Sequence, residues 1–320
     1  MMTRLVIIAD PRDVATRILV PELLRLIREH PGCRCLGMVM TSCEDSWDGH
    51  RHYWRKRFSR RLQAILGSGY AEAAMSVRPL ALEALARTYS IPLLLAPEGD
   101  PNHAEVLHRL RTDLLADGVI NVYCRTRFRE PLLSSFEMSV NYHNGLLPRF
   151  RGLRASNWSI YMEEPTSGYT FHRMDSGMDT GAILTEGAVP VLAGDTPAGL
   201  ELRKAKAACL ALPQVLDALD RRDAGHPQTG IGGHHNRQTY LMATRVEDPT
   251  ALTQAEWFRR LRAFLSIKTN VAGRWMQVTG LSPVDGPRRL AFRTADGGWL
   301  RVSGIGFWPS WLLPHFLDRQ

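Results

Sequence analysis

Two short apolar runs, residues 5–9 (LVIIA) and 35–40 (CLGMVM), set the limits on what this chain can become, and 118–123 (GVINVY) and 138–143 (MSVNYH) read as two further strands. A continuous apolar run of this length is the pattern of a strand buried on both faces, as in a parallel sheet covered by helices. Between the first two runs, residues 13–30 carry Val14, Ile18, Leu19, Leu23, Leu24, Leu26 and Ile27 at helical spacing and stop at Pro31-Gly32. Helices around 79–89 and 102–115 and a short strand over 91–95 continue the alternation. The expected fold is α/β, a doubly wound, mostly parallel Rossmann-like sheet.

Beyond residue 143 the pattern changes. Residues 170–173 and 182–191 read as strands of an antiparallel excursion, and 196–219 as one long amphipathic helix. Residues 223–238 (DAGHPQTGIGGHHNRQ) break every period and read as a linker. A helix over 255–265 and short strands punctuated at Pro283, Gly286 and Gly297-Gly298 then predict a small β-rich C-terminal domain. The expected organisation is a catalytic domain over 1–222, a linker over 223–238 and the small domain over 239–320.

Bulk properties exclude more than they identify. Hydrophobic content of 44% and charged content of 22% are those of an ordinary globular chain. Of the net charge of +8, much falls in residues 239–320, with 11 Lys and Arg against 6 Asp and Glu. Cys33, Cys35, Cys43, Cys124 and Cys209 form no C-x-x-C pair, so neither a disulfide framework nor a metal site is expected. No apolar run reaches the roughly 18 residues of a membrane helix, and the opening apolar run is too short for a signal sequence. The expected location is cytoplasmic.

Asn141 and His143 carry the first hint of chemistry. Residues two apart on a strand share a face, and ligands of open parallel sheets sit at the carboxyl ends of the strands. An amide and an imidazole there, with Asp179 arriving later, can hold a tetrahedral oxyanion and move a proton; each such donor is worth about 3 kcal/mol of barrier. By itself an Asn-x-His at a strand end is more often a satisfied structural pair.

The surrounding motifs add a resemblance. Asn141-x-His143, Leu146-Leu147-Pro148, Arg151-Gly152 and Asp179-Thr180-Gly181 follow in the order and spacing of the folate-dependent formyltransferases, whose members act on glycinamide ribonucleotide, methionyl-tRNA and sugar nucleotides. The resemblance is strong over about residues 110–210. It implies that Asn141, His143 and Asp179 are catalytic, and that 10-formyltetrahydrofolate is the formyl donor without any metal. It further implies a pterin pocket formed by Arg127, Phe128 and Arg129 with Met174, Asp175, Ser176, Gly177 and Met178. One departure stands out: Gly145 occupies the position where the family usually has Ser. His172, on the strand leading to the Asp179 loop, reads either as cofactor-facing or as a sheet-face residue.

Other segments have readings of both kinds. Arg51, Arg55, Lys56, Arg57, Arg60 and Arg61 with Tyr53, Trp54 and Phe58 suit a nucleic-acid surface, while Trp54, Phe58 and Leu62 equally form one apolar helix face. His234-His235 lack a third metal ligand, and the GIGG of 230–233 lacks the strand and helix of a phosphate loop. Trp257, Trp275, Trp299, Trp308 and Trp311 are expected first of all as core, and the apolar 307–316 as a contact surface, intramolecular or in a homodimer.

Three acceptors remain open. A small-metabolite amine, such as that of an amino-sugar nucleotide or a biosynthetic intermediate, is favoured. A methionyl-tRNA acceptor is suggested by chain length and by the LTQAEWFRRLRAF of 252–264. Against it stand the acidic TSCEDSWDGH of 41–50, where the tRNA enzymes have a basic loop, and LSIKTNVAG (265–273), which lacks their Asn-Pro-Trp-Pro. Water as acceptor would make the chain a formyltetrahydrofolate hydrolase.

Overall fold

A computed structural model describes residues 2–41, 80–124 and 126–306. The first strand, β1 (Thr3–Ala9), leads through α1 (Val14–Glu29) to β2 (Cys33–Met40), and α2 (Leu82–Tyr89) precedes β3 (Leu93–Leu95). The short α3 (Ala104–His108) precedes β4 (Gly118–Val122), followed by β5 (Met138–His143). Asp13 starts α1 by accepting from the Ala15 N–H, an N-cap that satisfies one of the helix's orphan donors. β6 (Arg151–Gly152) and α4 (Ala155–Tyr161) come next, then the hairpin of β7 (Thr166–Arg173) and β8 (Ile183–Pro190).

The seven-stranded sheet has the order β3-β2-β1-β4-β5-β7-β8. Its first five strands are parallel, and β7 and β8 continue it antiparallel. The expected doubly wound, mostly parallel sheet with an antiparallel excursion is therefore present. Alternation along β1 divides the core: Leu5, Ile7 and Ala9 pack with Leu19, Leu23 and Ile27 of α1, whereas Val6 and Ile8 pack with Val106, Leu110, Phe128 and Phe136 on the other face. Each fully buried aliphatic side chain contributes about 1.5–3 kcal/mol, and burial on both faces explains the unbroken apolar runs.

The 196–219 stretch differs from the expected single helix. It forms α5 (Pro197–Cys209) and α6 (Leu212–Asp220). Pro213 sits in the first turn of α6, where its missing N–H costs nothing; in a continuous helix its ring would crowd the Cys209 carbonyl. The 102–115 helix likewise shortens to α3, followed by a π-turn over Arg109–Asp113.

The segment expected as a linker is tied to the sheet. His226 and Ile183 exchange two backbone hydrogen bonds, and β9 (His234–His235) pairs in parallel with β6. Among the described residues, those up to Ser159 and Glu164–His235 belong to the first compact unit, and Ile160–Glu163 with those from Asn236 to a second.

In the second unit α7 (Arg237–Thr244), β10 (Arg245–Val246), α8 (Gln254–Phe264), β11 (Ile267–Val271), β12 (Arg274–Val284), β13 (Ala291–Arg293) and β14 (Trp299–Gly306) build a five-stranded sheet of order β10-β11-β12-β14-β13. The expected β-rich character is thus present. Trp257 is wholly buried, 5.2 Å from the Phe292 ring. Trp275 departs from the expectation of core: it is 44% exposed, its ring lying under Arg245 at 4.9 Å and Lys268 at 5.5 Å. Attraction between cations and the ring face accounts for an indole held at the surface. The acidic 42–50, the basic–aromatic 51–61, Trp308, Trp311 and the apolar 307–316 lie outside the described residues.

Candidate active site

Three adjacent strands bring one polar residue each into register. Asn121 of β4 lies opposite Asn141 of β5, and Asn141 opposite His172 of β7. The row would be costly in an apolar sheet unless each member found a partner, and each does. Asn121 accepts from the Cys124 N–H at 3.0 Å and donates to Asn141 Oδ1 at 2.7 Å. Asn141 Nδ2 lies 3.0 Å from His172 Nε2, and His172 Nδ1 lies 2.7 Å from the Arg173 carbonyl. A carbonyl can only accept, so Nδ1 of His172 donates to it.

Asp179 closes the row. Its carboxylate stands 3.5 Å from His172 Nε2 and 3.5 Å from His143 Nδ1, and it accepts from Gly152 N–H at 2.8 Å and, more weakly, from Asn141 Nδ2 at 3.4 Å. Asp179 itself sits in the left-handed region at φ 54°, a conformation that Asp tolerates better than most residues. Burial works against its ionisation, but His143, His172 and the Gly152 N–H together hold the carboxyl well below the ordinary carboxylate range. Gly152 has φ 90°, and a Cβ there would fall 2.3 Å from the His235 carbonyl. Glycine at 152 therefore lets its N–H reach Asp179 while β9 presses against it.

His143 is almost fully buried. Its Nε2 donates to the Phe150 carbonyl at 2.6 Å, leaving Nδ1 toward Asp179. Burial lowers its pKa; Asp179 works in the opposite direction, while His172 and Lys204 add to the lowering. The structure adds a desolvation penalty that outweighs the carboxylate and favours the neutral ring at rest.

Gly145, the departure from the family pattern, has a steric reason. A Cβ at that position would stand 2.8 Å from Ala155 Cβ, 2.9 Å from His143 Nε2 and 3.0 Å from Phe150 Cβ. The space a serine would need is taken by the packing that seats His143 on Phe150.

The two segments expected to form the pterin pocket are brought together. The Arg127 guanidinium donates to the Ser176 carbonyl, and Arg127, Asp175, Ser176, Gly177 and Met178 are exposed. Arg129 pairs with Asp100 at 2.7 Å and donates its N–H to Asn102. Asp175 accepts from Gly177 N–H and Thr180 Oγ1, which shapes the loop. Phe128 and Met174 point instead into the core. Arg127 and the 175–178 loop thus offer main-chain and charged groups suited to the edge of a pterin ring. Among the described residues no cluster of His, Cys, Asp or Glu suits a metal, and no helix is long and apolar enough to cross a membrane.

Sequence reasoning missed Asn121, Lys204 and Gln228. Asn121 had a visible signal, a lone amide inside the apolar GVINVY. Lys204 is wholly buried, its Nζ donating to the Asn144 carbonyl at 2.8 Å and lying 3.0 Å from Ser156 Oγ. Burial pulls its pKa down to about 7, with Glu201 opposing. Neither Lys204 nor Gln228 shows any signal in local sequence pattern.

Residues 85–216 match the family model described as formyl transferase. The chain is 39% identical over 100 residues to the GDP-perosamine N-formyltransferase of Brucella melitensis biotype 1, covering 31% of this chain and 39% of that protein. It is 28% identical over 169 residues to the methionyl-tRNA formyltransferase of Koribacter versatilis, covering 52% of each. The matches thus span only about two fifths to one half of these relatives' lengths. A sugar N-formyltransferase structure from Shewanella superposes with a TM-score of 0.59 at 16% identity, covering 97% of this chain and 100% of that one, which shows a shared fold. The residues that match the formyl transferase model, 85–216, are those that hold Asn141, His143 and Asp179.

Proposed function

We propose that this protein is an N-formyltransferase that moves a formyl group from 10-formyltetrahydrofolate to the primary amine of a small metabolite, an amino-sugar nucleotide. The observation that carries this reading is the Asp179 carboxylate standing 3.5 Å from both His143 and His172, with Asn141, on the strand of His143, directly opposite His172. The Brucella relative, named for GDP-perosamine, supports the choice of acceptor.

The chemistry follows from these residues. The amine nitrogen forms a bond to the formyl carbon, and the carbonyl electrons move onto its oxygen. Asn141 supplies an amide N–H to that oxyanion, in a site dry enough for the bond to count. His143, neutral at rest, takes the proton released by the amine, and Asp179 stabilises the imidazolium so formed. Collapse of the intermediate breaks the bond between the formyl carbon and N10 of the folate, and His143 returns the proton to N10. The amine loses one proton and N10 gains one. Arg127 and the 175–178 loop hold the pterin end of the donor.

Methionyl-tRNA is the second reading, favoured by the match to the Koribacter enzyme. One experiment separates the possibilities: purified protein with 10-formyltetrahydrofolate and, in turn, GDP-perosamine and other amino-sugar nucleotides, methionyl-tRNA, or buffer, with mass detection of products. A formyl adduct on an amino-sugar nucleotide is expected. Transfer to the tRNA alone selects the second reading, formate release with buffer alone indicates a hydrolase, and no turnover of the donor rejects formyl transfer.

A further inference from the structure

The 226–235 segment does more than connect. Gln228 Nε2 donates to two carbonyls of the catalytic loop, that of Asp179 at 2.9 Å and that of Gly181 at 2.8 Å. Its Oε1 accepts from Arg151 twice, from Nε at 3.0 Å and from an Nη at 2.7 Å. Arg151 immediately precedes Gly152, whose N–H binds the Asp179 carboxylate. The result is a closed ring of bonds: Asp179 main chain to Gln228, Gln228 to Arg151, and through Gly152 back to the Asp179 side chain.

We propose that Gln228 is a positioning residue for formyl transfer, a clamp that holds Asp179 against His143 from outside the catalytic motifs. The proposal rests on the reading of Asp179 and His143 as reacting groups. Asp179 needs such support because it is a non-glycine residue at φ 54°, and a conformation of that kind persists only when its surroundings over-determine it.

Only a primary amide of this length meets the geometry. Its NH2 faces carbonyl oxygens and its oxygen faces a guanidinium, so a carboxylate would set negative charge against the two carbonyls, and a methyl would leave them unpaired. The segment carrying Gln228 is anchored at both ends: His226 is bonded to Ile183, and Arg151 N–H and Leu153 N–H donate to the Gly233 and His235 carbonyls. The His235 ring stacks on Trp158 at 4.4 Å and on Phe150 at 5.9 Å, the residue whose carbonyl receives the His143 proton. One strap therefore reaches both partners of His143.

The test compares Gln228→Ala and Gln228→Glu with Asp179→Asn. Titration of the His143 imidazole is followed by NMR, the signal being assigned by its loss in His143→Gln. Asp179, His172 and Lys204 are the charged or titratable groups that act on this ring, and of these Asp179 alone raises its pKa. A carboxylate drawn away therefore lowers the midpoint. Both Gln228 variants are expected to melt cooperatively within a few degrees of the parent and to lose about tenfold in kcat, and Gln228→Ala, which adds no charge, to lower the His143 midpoint by about half a unit in the direction of Asp179→Asn. KM for 10-formyltetrahydrofolate should stay within about threefold.

A His143 midpoint and kcat equal to the parent's in a folded Gln228→Ala overturn the proposal. So does full activity in Gln228→Glu, which keeps the Arg151 pairing but has no donor for the carbonyls. Loss of cooperative melting in both variants also overturns it, because the role would then be structural. If Asp179→Asn turns over normally, the reading of the site itself fails; if Asp179→Asn is inactive while both Gln228 variants match the parent, only the clamp fails.

Discussion

Asn121 Nδ2 donates to Asn141 Oδ1 at 2.7 Å from the neighbouring strand, residue opposite residue. That bond fixes which way the Asn141 amide faces: its oxygen turns to β4 and its NH2 to His172 and Asp179. Without it the amide can rotate and present its oxygen where a donor is needed. Asn121→Leu is therefore expected to lower kcat for formyl transfer about tenfold or more with little change in KM, the mark of a group oriented for the transition state. Steady-state kinetics check it, and parent-like kcat in a folded variant counts against the relay.

Removing Asp179 leaves the His143 imidazolium without the stabilising carboxylate 3.5 Å away. Asp179→Asn and His143→Ala should each reduce formyl transfer by about two to three orders of magnitude. Donor binding, followed by fluorescence quenching, should persist, since the exposed Arg127 and 175–178 loop remain. Because burial lowers the His143 pKa, the acid limb of kcat/KM should lie below the ordinary imidazole value of 6.5, activity falling as pH drops through it.

Gly145→Ser restores the residue usual in the family, yet here it should harm. The added Cβ meets His143 Nε2, Ala155 Cβ and Phe150 Cβ at 3.0 Å or less. A stability loss of about 1–3 kcal/mol is expected from overpacking, with a fall in kcat as His143 leaves the Phe150 carbonyl. Thermal melts and kinetics on the same preparation give both numbers; an unchanged melting temperature would show that the neighbours yield freely.

Lys204 makes stability depend on pH with a definite sign. It is a basic group whose folded pKa, about 7, is below its ordinary 10.5. Between these values the unfolded chain binds more protons than the folded one, so folding stability rises as pH climbs from 7 toward 10.5, by at most about 1.4 kcal/mol per pH unit. Lys204→Met lacks this gain. The melting temperature of the parent should therefore rise relative to that of the variant between pH 7 and 9, and parallel curves would refute the buried, titrating lysine.

Much of this was legible in the linear sequence wherever the signal is local. The apolar runs at 5–9 and 35–40 lie in adjacent strands of one sheet, because burial on both faces demands unbroken apolar residues, and the segments at 118–122 and 138–143 extend that sheet. Alternation put Asn141 and His143 on one face, and the spacing of motifs pointed to Asp179. The long helix expected over 196–219 failed at Pro213, where two short helices satisfy the same apolar period. The expected linker failed to look like one because its contacts are made by backbone groups and a glutamine, which leave no periodic trace.

By itself the sequence determined the sheet, the order of its strands' chemistry and the Asn-x-His with its later Asp, since pleat, period and turn residues act between near neighbours. Only the tertiary structure decided that Asn121, Asn141 and His172 form one row, that burial outweighs Asp179 in setting the His143 proton, and that Gln228 closes the loop behind it. Those outcomes depend on strand register and on how deeply each charge is withdrawn from water. Both are set by residues tens of positions apart, and only folding brings them together.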